Sequence, residues 1–358
     1  MNFTLWSKII ILIGSILLTE GCKQSSEPPV VGNEVIPSHQ FVWGKGDTIN
    51  PSDAFQIMIR DIWGARHDNV WAVGHSDVVR NQAWFWNGQS WQSKNLSFPG
   101  HAYSLVSIYG FSENDIWAVG DQFRSNPPLE NRNFIIHKTG DTWELIEGLN
   151  APGCFSVWGT SSTNLFVGCD SGKILHFDGS QWSHQRTTTP YSQILEIWGF
   201  SNEVVFAVGG HPDFKQPGDT TFFYFYKLNE TKRYWDTIDS LEVTAATPSP
   251  SFGLSLWGNG EKLFSASGRS VHQLKESGWE VLERFNAVRR IGGSAKNDFF
   301  VGGYRNEIYH YNGEDWFAFS DLSSQTHSIQ AIWQIGDSVF VGSTNGFETV
   351  MFIGSREE

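Results

Sequence analysis

The 358-residue chain lacks the short motifs that carry most hydrolytic and phosphoryl-transfer chemistry. It contains no Gly-x-Ser-x-Gly elbow, no phosphate-binding loop and no His-Glu-x-x-His. Carboxylates are numerous, but nothing in the sequence selects a glycosidase pair among them. Three cysteines are present, Cys22, Cys154 and Cys169, and none lies in a Cys-x-x-Cys pair that would indicate zinc. The sequence therefore predicts a protein without enzymatic activity, metal or cofactor.

The candidates for ligand binding are polar residues that directly follow a recurring strand ending in Gly. These residues are His75, Asp121, Asp170, Arg269 and Tyr304. We expect them to form a polar ring near the mouth of a central channel, on a face whose loops are free to vary. Further candidates lie in long insertions or at unrepeated aromatic positions: Arg124, His211, Trp84 and Trp86. The alternative for each is an ordinary solvated or packed residue.

Cys154 and Cys169 flank a predicted turn between two strands. The midpoint of the pair falls inside the turn, so an undistorted hairpin would place the two cysteines opposite each other. Opposite residues are within reach of a disulfide, and export to an oxidising compartment would permit one. We therefore predict a Cys154–Cys169 disulfide, which a bulge in the turn would cancel.

The elements that must position these residues are visible as an internal repeat. An apolar residue, Trp and Gly recur, as in Ile62-Trp63-Gly64, and seven copies are spaced by about 45 residues. Each copy continues with a second strand ending in Gly. Six copies go on through a third strand and a turn, which is Asn-Gly or Asp-Gly in three of them, into a fourth strand that begins at Trp. Four strands in this length are typical of a β-propeller blade. The chain is therefore predicted to be all-β, a seven-bladed β-propeller of four-stranded blades.

The seventh copy stops before any fourth strand, and a lone strand lies upstream at residues 40–45. Trp43 would supply the missing seventh Trp. We therefore predict that this N-terminal strand completes the last blade and closes the ring, which removes an exposed sheet edge.

Two motifs carry a family resemblance. Val301-Gly302-Gly303 and Tyr-Asn-Gly-x-x-Trp at 311–316 look like kelch repeats, and Phe-Asp-Gly-x-x-Trp at 177–182 is similar to the Asp-box of sialidase-type propellers. Kelch repeats have a longer turn before the Trp, and an Asp-box separates its Asp from its Gly, whereas Asp178 and Gly179 are adjacent. The resemblance implies propeller architecture and no particular activity.

Most of the 17 Trp residues occupy repeated slots, which predicts that they pack one blade on the next. Three histidines, His137, His176 and His310, each lie six residues before the Trp of their blade. Equivalent positions in different blades are separated around the ring, so these histidines cannot share a metal ion. We expect them to form hydrogen bonds within their own blades.

The N-terminus resembles a bacterial lipoprotein signal. Lys8 and an apolar stretch at 9–18 precede Gly21 and Cys22, although Thr19 and Glu20 depart from the usual pattern. The resemblance implies residues 1–21 as a signal peptide, Cys22 as the lipidated residue, and, from Lys23, the outer membrane of a Gram-negative bacterium. Residues 22–38 are rich in Pro, Ser and Glu and are predicted to be a flexible tether before a propeller at 39–355. The alternatives are an ordinary secretory signal or a membrane anchor.

The net charge is −13, from 25 basic and 38 acidic residues, which disfavours a nucleic-acid partner. The leading interpretation is a monomeric, lipid-anchored binding or scaffold propeller whose loop-rich face engages a glycan or a protein. One alternative is a sialidase- or lyase-like enzyme, which would need an arginine cluster or convergent acids at the channel mouth. The other is a structural subunit of a cell-surface assembly.

Overall fold

The computed structural model describes residues 36–49, 54–78, 82–123, 129–189, 192–210, 220–229, 231, 233–244, 252–253 and 255–357. The predicted signal peptide, the lipidation site Cys22, most of the tether, Arg124 and His211 lie outside the described residues. No helix in the described part of the chain has the length and apolar character needed to cross a bilayer.

Seven antiparallel sheets form the ring, and the innermost strand of each blade contacts the innermost strands of both neighbours. The strands of blades 1 to 3 are β3 (Ile57–Arg66), β4 (Asn69–Ser76), β5 (Ala83–Trp86), β6 (Trp91–Lys94); β7 (Tyr103–Ser112), β8 (Asp115–Gln122), β9 (Asn133–Thr139), β10 (Thr142–Leu145); and β11 (Cys154–Ser161), β12 (Asn164–Cys169), β13 (Lys173–Phe177), β14 (Trp182–Arg186). The strands of blades 4 to 6 are β15 (Gln193–Gly199), β16 (Val205–Gly210), β17 (Thr220–Asn229), β18 (Tyr234–Thr244); β19 (Ser255–Gly258), β20 (Leu263–Ser267), β21 (Ser270–Lys275), β22 (Gly278–Arg284); and β23 (Val288–Ala295), β24 (Asp298–Gly303), β25 (Ile308–Tyr311), β26 (Trp316–Ala318). Blade 7 consists of β27 (Ser328–Ile335), β28 (Ser338–Thr344), β29 (Thr349–Arg356), β1 (Phe41–Trp43) and the short β2 (Asp47–Thr48), and two 3₁₀ turns lie at Leu129–Asn131 and Ser320–Leu322. The predicted seven-bladed propeller is confirmed.

The N-terminal strand closes the ring as predicted. Strand β1 pairs antiparallel with β29, with Phe41 opposite Arg356 and Trp43 opposite Gly354. The seam is reinforced by an ion pair of 2.5 Å between Arg356 and Asp298 of blade 6. The first and last strands of the described chain therefore share one sheet, which joins the two ends of the propeller.

The Asn-Gly and Asp-Gly turns explain how each blade folds back on itself. Gly88, Gly179 and Gly313 have φ angles of 89°, 91° and 99°, in the left-handed region that glycine adopts without strain. The side chain before each Gly accepts backbone N–H groups of the turn, as Asp178 does from Ser180 and Gln181 at 2.9 Å. These hydrogen bonds hold the pKa of Asp178 well below its ordinary value. The residue that suggested an Asp-box is thus engaged in the turn itself.

The repeated Trp residues pack one blade on the next, as predicted. Trp235 of blade 4 is fully buried, and its ring centroid lies 5.7 Å from that of Phe166 in blade 3. The Trp residues of the innermost strands also pack on the neighbouring blade. The ring of Trp158 lies so close to Gly199 of the next blade that a Cβ added there would be 2.6 Å from it. The repeated Trp-Gly pair is therefore one contact made many times around the ring.

The three aligned histidines form hydrogen bonds within their blades, as predicted. His137 bonds Asp115 at 2.8 Å, and His176 bonds Asn164 at 2.7 Å. His310 bonds Asp298 at 2.8 Å in the same arrangement. In each of these three blades, a side-chain hydrogen bond therefore joins the third strand to the start of the second strand.

A β-bulge interrupts six of the innermost strands at one equivalent position. The register shifts lie between Ile59 and Asp61, Leu105 and Ser107, Cys154 and Ser156, Ile194 and Glu196, Val288 and Arg290, and Ile329 and Ala331. A bulge bends its strand and redirects the side chains beside it. These bulges stand next to the residues that line the channel.

The bulges also decide the pairing of the two cysteines. The hairpin turns at the Ser161–Asn164 pair, and regular pairing from there would place Cys154 opposite residue 171. Two register shifts in β11 move the pairing by one residue each, so Cys154 lies opposite Cys169 and their sulfur atoms are joined. The assumption that a bulge would cancel this pairing is wrong, because two bulges in the same strand produce it.

Candidate functional site: the central channel

The innermost strands enclose a channel cavity of about 250 Å³. Part of its wall is aromatic, from the repeated slot occupied by Tyr109, Trp158, Trp198, Trp257 and Trp333. Another part is charged, from Arg60, Asp61, Glu196, Arg289 and Arg290. The aromatic residues belong to the repeat and the charged residues depart from it.

Three of these charged residues arise at one repeated position, two residues before the Trp slot. The other two, Arg60 and Arg289, stand one residue before that position. Around the ring that position holds Asp61, Ser107, Ser156, Glu196, Ser255, Arg290 and Ala331. At several of them the side chain accepts a backbone N–H from the next blade, as Ser156 does from Ile197 at 2.9 Å. In some blades, the residue at this position therefore forms a hydrogen bond to the next blade. In three of the seven blades, the residue is charged.

Asp61 is held by three hydrogen bonds. One carboxylate oxygen accepts from the Ser107 hydroxyl and the Ile108 N–H, each at 2.9 Å, and the other from the Ile62 N–H at 2.9 Å. Burial raises the pKa of Asp61 to about 6, although these hydrogen bonds oppose the shift. Both oxygens of this carboxylate therefore have structural partners.

Glu196 lies in the same cavity without such support. No hydrogen bond joins its carboxylate to another described residue, and its pKa is raised to about 8 by burial and by the charge of Asp61. The charge of Arg290 opposes this shift, and the pKa of Arg290 is itself lowered to about 10 by burial and by Arg289. Asp61, Glu196 and Arg290 therefore form one electrostatically coupled group.

Arg60 and Arg289 mark the mouth of the channel. Both also line a second cavity of about 250 Å³, whose wall includes Thr326, Gln330 and Thr344. Burial and the charge of Arg289 lower the pKa of Arg60. The two cavities share these arginines, so the guanidinium groups stand between the loop-rich face and the interior of the channel.

Two members of the predicted polar ring interact with the arginines of the channel mouth. His75 accepts or donates a hydrogen bond of 2.7 Å with Ser104, and its pKa is lowered by burial and by the charge of Arg60. Tyr304 is 54% exposed, and the guanidinium carbon of Arg289 lies 5.6 Å from the centre of its ring. These two predicted residues therefore flank the channel mouth.

The other members of that ring have partners outside the channel cavity. Asp121 forms an ion pair with Arg132, and its charge interacts with that of Asp170. Arg269 lies in the turn between β20 and β21, where its carbonyl accepts the Phe285 N–H at 2.8 Å. The ring of five polar residues stays a prediction, and the contacts described here link its members only between neighbouring blades.

The two unrepeated Trp residues pack against neighbouring side chains. Trp84 is only 1% exposed and packs in a core cluster with Ile57, Ile59 and Phe340. Trp86 donates from its indole N–H to the His67 carbonyl at 3.1 Å and packs against Trp91. Both pack at the junction between blades 7 and 1, where Trp84 is buried and Trp86 partly buried, and a role of either in binding stays a prediction.

Sequence reasoning missed the channel charges, although the signal is present. Asp61, Glu196 and Arg290 each stand two residues before the Trp slot, inside strands that are otherwise apolar. A charged residue in the innermost strand of a propeller must face either the core or the channel, and only the channel accommodates it. Alignment of the copies at this position would have identified all three.

Four exposed aromatic side chains lie on the same face as the channel mouth. Phe55 precedes β3, Phe123 follows β8, Tyr304 follows β24, and Phe347 lies between β28 and β29. Their exposed fractions are 86%, 45%, 54% and 70%. Connections into the first strand and from the second to the third share one face of a propeller, so all four lie on the loop-rich face.

Comparison with known proteins supports the fold alone. No family model matches the chain, and no curated protein matches it in sequence. A solved structure described as YCF48 bound to D1 peptide is 13% identical with a TM-score of 0.60, covering 88% of this chain and 97% of that one. The WD40 propeller domain of Doa1 is 12% identical (TM-score 0.57, covering 88% and 98%), and an extracellular domain from B. thetaiotaomicron is 11% identical (TM-score 0.60, covering 87% and 40%). This chain shares their architecture.

Proposed function

We propose that this protein is an exported, lipid-anchored propeller that binds a partner protein at its loop-rich face. The observation that carries the proposal is that exposed aromatic side chains and the basic channel mouth lie on the same face. Phe, Tyr and Arg are enriched in protein interfaces, where rigid rings bury a large area at low entropic cost. A protein partner therefore fits this face better than a glycan, and the peptide in the YCF48 structure is consistent with it.

The export part of the proposal rests on the N-terminal sequence. Cys22 after an apolar segment supports lipid anchoring, and Lys23 favours the outer membrane. Incorporation of labelled palmitate, lost in Cys22→Ser, is the expected result. Secretion of the unlabelled wild-type protein as a soluble form would contradict it.

A cross-linking experiment tests the binding face. A photoreactive amino acid placed at Phe347 is expected to give a discrete cross-linked band in intact cells. The matched control is Val281, which is 45% exposed on the outermost strand β22. Replacing Phe55 and Phe123 by Ser should abolish the band at position 347. The same pattern from positions 347 and 281, or no band at either, would contradict the proposal.

A carbohydrate-active enzyme is the second candidate, and one observation favours it. Asp61 and Glu196 share a cavity with different pKa values, about 6 and about 8, as acid and base pairs often do. The hydrogen bonds on both oxygens of Asp61 argue for a structural role instead. Hydrolysis or elimination of any glycan, lost in Glu196→Gln, would support the enzyme and overturn the binding proposal.

A further inference from the structure

Arg60 and Arg289 lie together at the channel mouth without an acidic partner. No ion pair joins either guanidinium group to a described residue. Each is the extra residue of a β-bulge, in β3 and β23, so the bulges bring both side chains to the same wall. Two like charges in a partly buried site repel each other, which is unfavourable unless a counter-charge is supplied.

The acids of the channel do not supply that counter-charge. Asp61 and Glu196 act on Arg290, whereas Arg60 interacts with the positive charges of Arg289 and Arg290. The hydrogen bonds from Ser107 and Ile108 hold Asp61 one residue deeper in the strand. The charge of Arg290 is therefore balanced from within the protein, whereas those of Arg60 and Arg289 are not.

The second cavity offers further unused hydrogen-bonding groups at the same place. Arg289 Nε and Gln330 Oε1 are both buried and make no hydrogen bond with a described residue. Buried donors and acceptors are almost always paired in folded proteins, so such atoms indicate a site that a ligand completes. Thr326 and Thr344 line the same wall and add hydroxyl groups that both donate and accept.

We propose that Arg60 and Arg289 form a carboxylate-binding subsite, so that the partner docks through an acidic group inserted at the channel mouth. This inference rests on the proposed function and specifies the chemistry of the partner. A guanidinium group binds a carboxylate through two parallel hydrogen bonds, and the Arg289 side chain is already positioned against Tyr304. Since the chain carries a net charge of −13, an acidic segment is repelled by most of the surface and attracted at this point.

The carboxylate could come from a Glu or Asp side chain or from a C-terminus, and three peptide probes distinguish these sources. They are hexaglutamate with both ends blocked, hexaglutamine with a free C-terminus, and hexaglutamine with both ends blocked. Titration of each into the full-length protein measures the dissociation constant. We expect at least one acid-bearing probe to bind and the fully blocked neutral probe not to bind.

Variants locate the binding. Arg60→Gln with Arg289→Gln is expected to weaken binding at least tenfold. The matched control, Arg186→Gln with Arg284→Gln, removes the same charge from exposed positions on β14 and β22 and is expected to leave affinity unchanged. The acid-bearing probe that binds identifies the source of the carboxylate.

Three results would overturn the subsite: no binding of either acidic probe at millimolar concentration, equal binding of the neutral probe, or equal loss in the two double variants. Each of these leaves the photo-cross-link at Phe347 unaffected. Loss of that cross-link, in turn, would contradict protein binding without bearing on the peptide titration. The two proposals therefore fail separately.

Discussion

The contacts between blades and the charged wall of the channel differ in how their residues vary from one blade to the next. Between blades, the same residue recurs because the same contact recurs, as Trp235 on Phe166 illustrates. In the channel, one equivalent position holds an acid in Asp61 and Glu196, a base in Arg290 and a small residue in the other blades. Contacts that stabilise the fold thus recur from blade to blade, whereas the features suited to binding occur where the repeat is broken.

This difference has an energetic side. A buried Trp gains free energy from the apolar area that it removes from water. Glu196 and Arg60 lose solvation instead, which is why burial shifts the pKa of each toward its neutral form. The channel charges therefore oppose folding, as residues retained for binding often do.

The largest effect is expected from the blade contacts. Trp235→Ala should lower the free energy of unfolding by about 3–5 kcal/mol, because it leaves a cavity and removes the bond from the indole N–H to Gln185. Denaturant unfolding measures the change. The control Phe347→Ala, at a side chain 70% exposed, should change it by less than about 0.5 kcal/mol. A loss under about 1 kcal/mol for Trp235→Ala would show that the repeated slots do not carry stability.

The disulfide is expected to come next. Replacing Cys154 and Cys169 by Ser should lower the free energy of unfolding by about 3 kcal/mol, since the bond closes a loop with a sequence separation of 15. Peptide mapping of denatured, unreduced wild-type protein should find neither thiol alkylated. Alkylation of both cysteines there would refute the bond.

Replacing Glu196 in the channel is expected to change the free energy of unfolding by less than loss of the disulfide does, and to raise it. The pKa of Glu196 rises from an ordinary value of 4.5 to about 8 on folding. Between these values the folded state binds more protons than the unfolded state, so wild-type stability falls as the pH rises through this window. A pKa raised this far corresponds to about 4–5 kcal/mol, but the Glu196 side chain is only partly buried, so water screens part of the effect. Glu196→Gln should therefore match the wild type near pH 4.5 and exceed it by about 2 kcal/mol near pH 8.5. Thermal unfolding across this range measures the difference.

Glu144→Gln is the control for this series, because Glu144 is exposed on β10. It should follow the wild-type curve at every pH. A constant difference between Glu196→Gln and the wild type would show that the effect of Glu196 does not come from its ionisation.

The smallest effect is expected at the channel mouth. Arg60→Gln with Arg289→Gln should raise stability by up to about 1 kcal/mol at low ionic strength, because it removes the repulsion between two neighbouring charges. The gain should shrink in high salt, as thermal unfolding can follow. Destabilisation by more than about 1 kcal/mol would mean that these arginines support the fold. It would contradict the contrast between blade contacts that stabilise the fold and channel charges that oppose it.

Local patterns in the sequence determined the architecture. The spacing of Trp-Gly and of the Asn-Gly and Asp-Gly turns predicted seven blades, and Trp43 predicted how the ring closes. This succeeds because each blade folds by short-range rules, apolar alternation and tight turns, which repeat along the chain. The positions of His75 and Tyr304 beside the channel mouth also follow from the strand ends.

Only the tertiary structure decided which residues meet. Glu196 acts on Asp61 from three blades away because ring closure brings both into one cavity. Two bulges in β11, which the spacing of residues in the sequence does not predict, bring Cys154 opposite Cys169. Bulges in β3 and β23 likewise bring Arg60 beside Arg289. A one-residue shift in register redirects every side chain that follows it, so sequence spacing fixes the strands while bulges and closure fix the site.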